Sequence, residues 1–158
     1  MKLYLLQHGL AVDKSLDPER PLSAQGRTDV ERTASFLQHA GIKPALFLHS
    51  GKTRAQQTAQ IMATALGDGN IAVLEHIDPN DALDSTIRFV ARDNRDIMLV
   101  GHLPFMQRLV SFLLCGNEVA EFSYQPGTIA CLFRDGLSHN NDKWSMQWML
   151  RPDLLPDT

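Results

Sequence analysis

The chain has 158 residues and a formal net charge of −3, with 15 Lys and Arg against 18 Asp and Glu. Hydrophobic residues make up 44% and charged residues 21%, which is ordinary for a globular protein and argues against disordered, collagen-like and coiled-coil classes. The length predicts a single domain over 1–158, with a loose tail after residue 151. A slightly negative charge provides no overall field for nucleic acid or an anionic membrane, so any anion site must be local.

The cysteines and the first residues indicate where the protein works. Cys115 and Cys131 are too few for a disulfide framework, which fits a reduced compartment. The apolar run at 3–6 is interrupted at Gln7 and His8, well short of a signal-peptide core or a membrane span. We therefore expect a cytoplasmic protein with no membrane anchor.

In the first half of the chain, short apolar runs alternate with amphipathic stretches. Residues 3–6 predict a strand buried on both faces, and the helix that follows is capped by Ser23 and ended by Gly41. Residues 45–48 predict a second buried strand, and the helix after it ends at Gly67.

The second half continues the alternation of strands and helices. Its predicted elements are a strand at 71–74, a helix after Asp81, a buried strand at 97–100, a helix ending near Gly116, and strands at 129–133 and 144–150. The alternating pattern of the last strand places it at the edge of the sheet. Together the elements predict a three-layer α/β/α fold with a mostly parallel central sheet.

In such sheets, ligands bind outside the carboxyl ends of the strands. Three predicted strands run into a histidine there, at His8, His49 and His102. Parallel neighbouring strands would bring two of these imidazoles to one edge of the sheet. A lone histidine at a strand end is more often a structural hydrogen-bonding group, so both interpretations stay open.

The segment from Ser50 to Arg54 opens the second helix, where free N–H groups and the helix dipole favour an anion. Arg54 lies in its first turn, and a planar guanidinium can donate two parallel hydrogen bonds to phosphate. A plain solvated charge is the alternative for Arg54, and Lys52 is expected to be solvated. No histidines lie three or four residues apart, and no P-loop or Gly-x-Gly-x-x-Gly turn occurs, so we expect no metal and no cofactor.

Three blocks of the chain resemble the signature of the histidine phosphatase superfamily, also called phosphoglycerate-mutase-like. That signature consists of Arg-His-Gly, then Ser-Pro-x-x-Arg-Ala-x-x-Thr-Ala, then Gly-His or Ser-His. The corresponding blocks here are Gln7-His8-Gly9, Ser-Gly-Lys-Thr-Arg-Ala-Gln-Gln-Thr-Ala at 50–59, and Gly101-His102. The short length, the segment at 19–23 and the Gly26 after it are most similar to the small bacterial phosphohistidine phosphatases.

The resemblance implies a role for each matching residue. His8 would be the nucleophile that becomes phosphorylated, while Arg54 and His102 would hold the phosphoryl oxygens. Gly9 would keep the turn after His8 tight, and Arg20 resembles a further phosphate-binding arginine.

The main departure from the signature is Gln7, which stands where the family has arginine. Its amide can still donate a hydrogen bond to phosphate but carries no charge, and neutral hydrogen bonds are weaker. The family's acid on ester substrates is a Glu or Asp; Glu75, Asp78 and Asp81 lie in the right region, and Glu75 is the candidate we name. No motif selects among these three carboxylates.

From the resemblance we expect a metal-independent phosphatase that removes phosphate from a phosphohistidine on a signalling or phosphotransfer protein. An enzyme phosphohistidine would be the intermediate, and imidazole is a leaving group that needs little proton donation. Two alternatives remain open. The first is a phosphate- or phosphoprotein-binding module with little turnover, because Gln7 replaces the arginine of the signature. The second is a phosphatase for small phosphate esters.

Overall fold

A computed structural model describes residues 1–67, 69–135 and 143–156. Its elements in chain order are β1 (Lys2–Gln7), α1 (Ala24–His39), β2 (Leu46–His49), α2 (Thr53–Leu66), β3 (Asn70–Val73), α3 (Asp84–Arg92), β4 (Ile97–Gly101), α4 (Phe105–Cys115), β5 (Ile129–Arg134) and β6 (Trp144–Leu150). Every predicted strand and helix is present, with small differences at the ends. The side chain of Ser23 accepts a hydrogen bond from the N–H of Gly26, as expected of the cap of α1.

The strands form one sheet in the order β3-β2-β4-β1-β5-β6. β1 to β4 pair in parallel, whereas β5 runs antiparallel to both of its neighbours. The prediction of a mostly parallel α/β sheet is therefore confirmed, and β6 lies at an edge as its alternation indicated. β1 and β4 lie at the centre, which explains their uninterrupted apolar sequences.

Successive side chains of β1 point to opposite faces of the sheet and enter two separate cores. Leu3 and Leu5 pack in the core that contains the buried residues of α3 and α4. Tyr4 and Leu6 pack in the core that contains those of α1 and α2. Helices therefore cover both faces, which gives the predicted three layers.

The segment after residue 151 differs from the expected loose tail over its first residues. Residues Pro152–Leu154 form a 3-10 helix that contacts α1, and Pro152 and Leu155 are buried. Their apolar side chains hold this segment against the helical layer. Within the three described ranges, no helix has the length and apolar character needed to cross a membrane.

Candidate active site

The register between the two central strands brings His8 and His102 together. β1 and β4 are parallel, and Gln7 is level with Gly101, so the next residue of each strand is a histidine at the same edge. The N–H of His8 donates to the carbonyl of Gly101 at 3.1 Å. The two ring centroids lie 4.9 Å apart, with the rings tilted by 59°.

Two hydrogen bonds fix the orientation and the tautomer of His8. Its Nδ1 lies 2.7 Å from the carbonyl oxygen of Gly9, and a carbonyl can only accept, so Nδ1 carries the proton. On the other side of the ring, Nε of Arg54 donates to Nε2 of His8 at 3.1 Å. The Nε2 lone pair therefore faces a guanidinium, in the place where a phosphoryl group would be held.

The turn after His8 is held between the first two helices. A Cβ on Gly9 would lie 2.7 Å from Cγ2 of Val30 and 3.0 Å from the carbonyl oxygen of Gly26, so α1 leaves room only for glycine. The N–H of Gly9 donates to Oγ1 of Thr58 at 3.1 Å, and that hydroxyl donates to the carbonyl of Arg54 at 2.7 Å. Thr58, which belongs to the second sequence block, thus connects the turn after His8 to the helix that carries Arg54.

His102 is buried at 2% exposure, and its ring contacts the end of a third strand. Nε2 of His102 lies 2.6 Å from Oγ of Ser50, the residue after β2. Nδ1 is also buried and has no hydrogen-bond partner in the described part of the chain. No role for Ser50 was predicted from the sequence. The available signal was its position one residue beyond a strand end, the same position that His102 has after β4.

Burial keeps both histidines of the site neutral at pH 7. Desolvation lowers the pKa of His8 to about 4, and the nearby cations Arg54, Arg20 and Lys52 act in the same direction. The hydrogen bond to the Gly9 carbonyl opposes them. Desolvation likewise lowers the pKa of His102 to about 3, and His8 is the next largest cause. A neutral His8 retains the lone pair that attack on phosphorus requires.

A cleft of about 370 Å³ is lined by Arg54, the residue whose Nε donates to Nε2 of His8. Arg20 lines it as well, at the end of a loop that an isolated bridge between Ala11 and Leu22 closes. The backbone of Arg20 has a φ of 50°, and its Nε donates to the carbonyl of Val12 at 3.3 Å. The structure thus places both predicted phosphate-binding arginines on one cleft.

Glu19 lines this cleft and Asp78 is joined to it through Lys52, whereas Glu75 is part of neither arrangement. Nζ of Lys52, which also lines the cleft, lies 2.7 Å from Oδ1 of Asp78. Lys52 is 36% exposed and forms this ion pair, whereas a solvated side chain without a partner was expected. Glu75 is exposed, and no contact among the described residues joins it to His8 or Arg54.

Gln7 and His49 are the remaining candidate residues at the ends of strands. Gln7 is buried at the end of β1, and its Oε1 has no hydrogen-bond partner in the described ranges. His49 is buried too, but its Nδ1 accepts from the N–H of Gly51 at 3.0 Å. His49 therefore supports the turn before α2, where Gly51 has a φ of 83°. Across the described residues, no group of three or more His, Cys, Asp and Glu side chains is arranged to hold a metal ion.

Comparisons with known proteins agree with the first two sequence blocks. Residues 3–79, which hold the first two blocks, match the sequence profile of the histidine phosphatase superfamily, branch 1. The chain belongs to this superfamily. An uncharacterised protein of Picosynechococcus sp. is 33% identical to it over 111 residues, which cover 66% of this chain and 67% of that protein.

Solved structures extend the similarity of fold over almost the whole chain. The protein histidine phosphatase SixA, solved with tungstate, has a TM-score of 0.83 at 22% identity, and the match covers 98% of this chain and 99% of that one. A mycobacterial glucosyl-3-phosphoglycerate phosphatase has a TM-score of 0.71 at 17% identity, covering 92% and 96%. A phosphoserine phosphatase of Entamoeba histolytica has a TM-score of 0.69 at 14% identity, covering 94% and 95%. The predicted phosphoglycerate-mutase-like fold is confirmed.

Proposed function

We propose that this protein is a metal-independent phosphatase that removes phosphate from phosphohistidine on a protein, through a phosphohistidine intermediate on His8. Membership of the superfamily supports a phosphatase in general. One observation carries the finer proposal: Nδ1 of His8 is bonded to the Gly9 carbonyl, and its Nε2 faces Nε of Arg54. This arrangement presents a neutral nucleophile and a phosphate-binding cation to the same point.

In the first step, Nε2 of His8 attacks phosphorus in line with the leaving group. The new N–P bond forms as the P–N bond of the substrate breaks, and the departing ring takes a proton from water and leaves as imidazole. An entering phosphoryl group replaces Nε2 as the partner of Arg54, because its oxygens are the stronger acceptors. Arg20 and His102 would contact the same oxygens as charge develops on them.

In the second step, water adds to phosphorus and the N–P bond to His8 breaks. Orthophosphate leaves, the proton of the attacking water goes to solvent or product, and Nε2 regains its lone pair. The proton stays on Nδ1 of His8, which donates it in the hydrogen bond to the Gly9 carbonyl throughout, so the ring needs no change of tautomer between turnovers.

The ion pair beside the cleft supports a phosphoramidate substrate over an ester. Asp78 bonds to Lys52 at 2.7 Å, and this bond is the largest cause that lowers the pKa of Asp78. An ionised Asp78 cannot donate a proton to an alkoxide leaving group at neutral pH. Imidazole needs less proton donation, so phosphohistidine suits the groups present. Phosphotransfer and signalling proteins are the partners that carry this group.

The proposal is tested with a phosphotransfer domain that carries phosphohistidine. Phosphate release is followed for the wild type, for His8→Ala, and for His39→Ala as a matched control at an exposed histidine in the last turn of α1. We expect release by the wild type and the control, in the presence of EDTA, with an acid-labile phosphoenzyme that His8→Ala lacks. Release that persists in His8→Ala would refute the role of His8.

Gln7 favours a second candidate, a module that binds phosphorylated partners with little turnover. Its buried amide stands at the end of β1 and supplies no charge to the phosphoryl group. Tight binding of inorganic phosphate by a wild-type protein that releases none from phosphohistidine would select this candidate. Faster turnover of a sugar phosphate or nucleotide than of phosphohistidine would instead select an ester phosphatase.

A further inference from the structure

The cleft holds two more cations, Lys14 and Lys52, than the sequence signature accounts for. Arg20 and Arg54 are the arginines matched to phosphate binding, and Gln7 supplies no charge. Lys52 lines the same cleft as the two arginines. It stands two residues before Arg54, at the start of the helix whose first turn faces the site.

The side chain of Lys52 is free of any role in the helix that it precedes. Lys52 occupies the cap position of α2 with an extended backbone (φ −68°, ψ 140°), and its side chain makes no capping hydrogen bond. Its ammonium is instead held by Asp78, at 2.7 Å. The positive charge of Lys52 interacts with both His8 and His102, because it is among the causes that lower the pKa of each ring.

We propose that Lys52 is a phosphoryl-binding residue positioned by Asp78, and that it supplies the positive charge that is missing at Gln7. The proposal rests on the proposed function, because the phosphoryl group must bind at His8 for Lys52 to contact it. An ammonium has three N–H donors, so Lys52 can keep its bond to Asp78 and donate to a phosphoryl oxygen at the same time. Asp78 thereby limits the flexible lysine stem to the cleft and reduces the entropy lost on binding.

Binding of inorganic phosphate, measured by titration calorimetry at fixed ionic strength, tests the role of Lys52 without relying on turnover. We expect Lys52→Gln to weaken phosphate binding by about tenfold, which is the usual advantage of a charge-assisted hydrogen bond over a neutral one. Lys52→Arg should bind nearly as well as the wild type. The control is Lys43→Gln, the same charge change at an exposed lysine before the opposite end of β2, and it should bind as the wild type does.

The link to Gln7 is tested by repeating Lys52→Gln in a Gln7→Arg background. If the two positions supply the same charge, the loss caused by Lys52→Gln should shrink to less than about threefold in that background. An equal loss in both backgrounds, or wild-type binding by Lys52→Gln, would overturn the proposal. A wild type that neither binds phosphate nor releases it from phosphohistidine would overturn the proposed function as well, which is a distinct result.

The positioning role of Asp78 has its own readout. Asp78→Asn removes a negative charge near the bound anion, which alone would tighten phosphate binding. In the wild type this gain should be offset because Lys52 is released, whereas in the Lys52→Gln background the full gain should appear. An equal gain in both backgrounds would show that Asp78 does not position Lys52.

Discussion

Acidification from pH 7 to pH 5 should destabilise the folded protein through the two histidines of the site. In the unfolded chain each imidazole titrates near its ordinary pKa of 6.5, whereas in the folded protein burial holds the pKa of His8 at about 4 and that of His102 at about 3. Between these values the unfolded state binds more protons than the folded state. The free energy of unfolding therefore falls as the pH falls below about 6.5.

The expected size of this effect follows from the linkage between proton binding and folding. For His102, which is 2% exposed, the loss of unfolding free energy between pH 7 and pH 5 is about 2 kcal/mol. His8 is partly exposed, so solvent screening reduces its share to about 1 kcal/mol. Together the two amount to about 3 kcal/mol, a large part of the 5–15 kcal/mol that is typical of a domain.

Urea unfolding followed by tryptophan fluorescence at pH 5, 6 and 7 measures this dependence. His102→Asn should lose about 2 kcal/mol of the difference between pH 7 and pH 5, because the variant lacks the group that titrates. His39→Ala, at an exposed histidine, is the control and should keep the whole difference. Equal stability of the wild type at pH 5 and pH 7, or an undiminished difference in His102→Asn, would refute the reasoning.

Two further substitutions test contacts that support the site. Ser50→Ala removes the hydroxyl that lies 2.6 Å from Nε2 of His102 and leaves the buried ring without that partner. The free energy of unfolding, measured in urea, should therefore fall by about 1–3 kcal/mol. Ser50→Thr should recover part of this loss. Gly9→Ala places a Cβ 2.7 Å from Cγ2 of Val30, which should cost about 1–3 kcal/mol and displace His8, so that phosphoenzyme formation slows. A Gly9→Ala protein with wild-type stability and rate would contradict the close approach of α1.

The elements of the fold were predictable because the central strands have a simple sequence signal. Residues 3–6 and 97–100 are buried on both faces, so each reads as a continuous apolar run that stops at a polar residue or glycine before a histidine. Ser23 before α1 and Gly67 after α2 predicted helix ends, because capping depends only on residues at the end of the helix itself.

The contacts within the site could not be predicted in the same way, because they depend on register and on loops. The sequences of β1 and β4 do not reveal that Gln7 pairs with Gly101, yet this register sets the distance between the imidazoles of His8 and His102. The bond from Ser50 to His102 requires β2 to be the other neighbour of β4. The sequence also could not distinguish Glu75 from Asp78, since only the folded loop brings Asp78 to Lys52.

The central position of β1 makes the backbone before His8 more constrained than the walls of the cleft, so mutations can change the cleft more readily than that backbone. β1 is hydrogen-bonded on both sides, to β4 and β5. The backbone before His8 can therefore exchange its amide hydrogens only when the central strands of the sheet unfold. The cleft walls come instead from the loop around Arg20 and from the start of α2. Mutations in the loop around Arg20 can therefore change the shape and charge of the cleft, while the register that brings His8 and His102 together is set by the sheet.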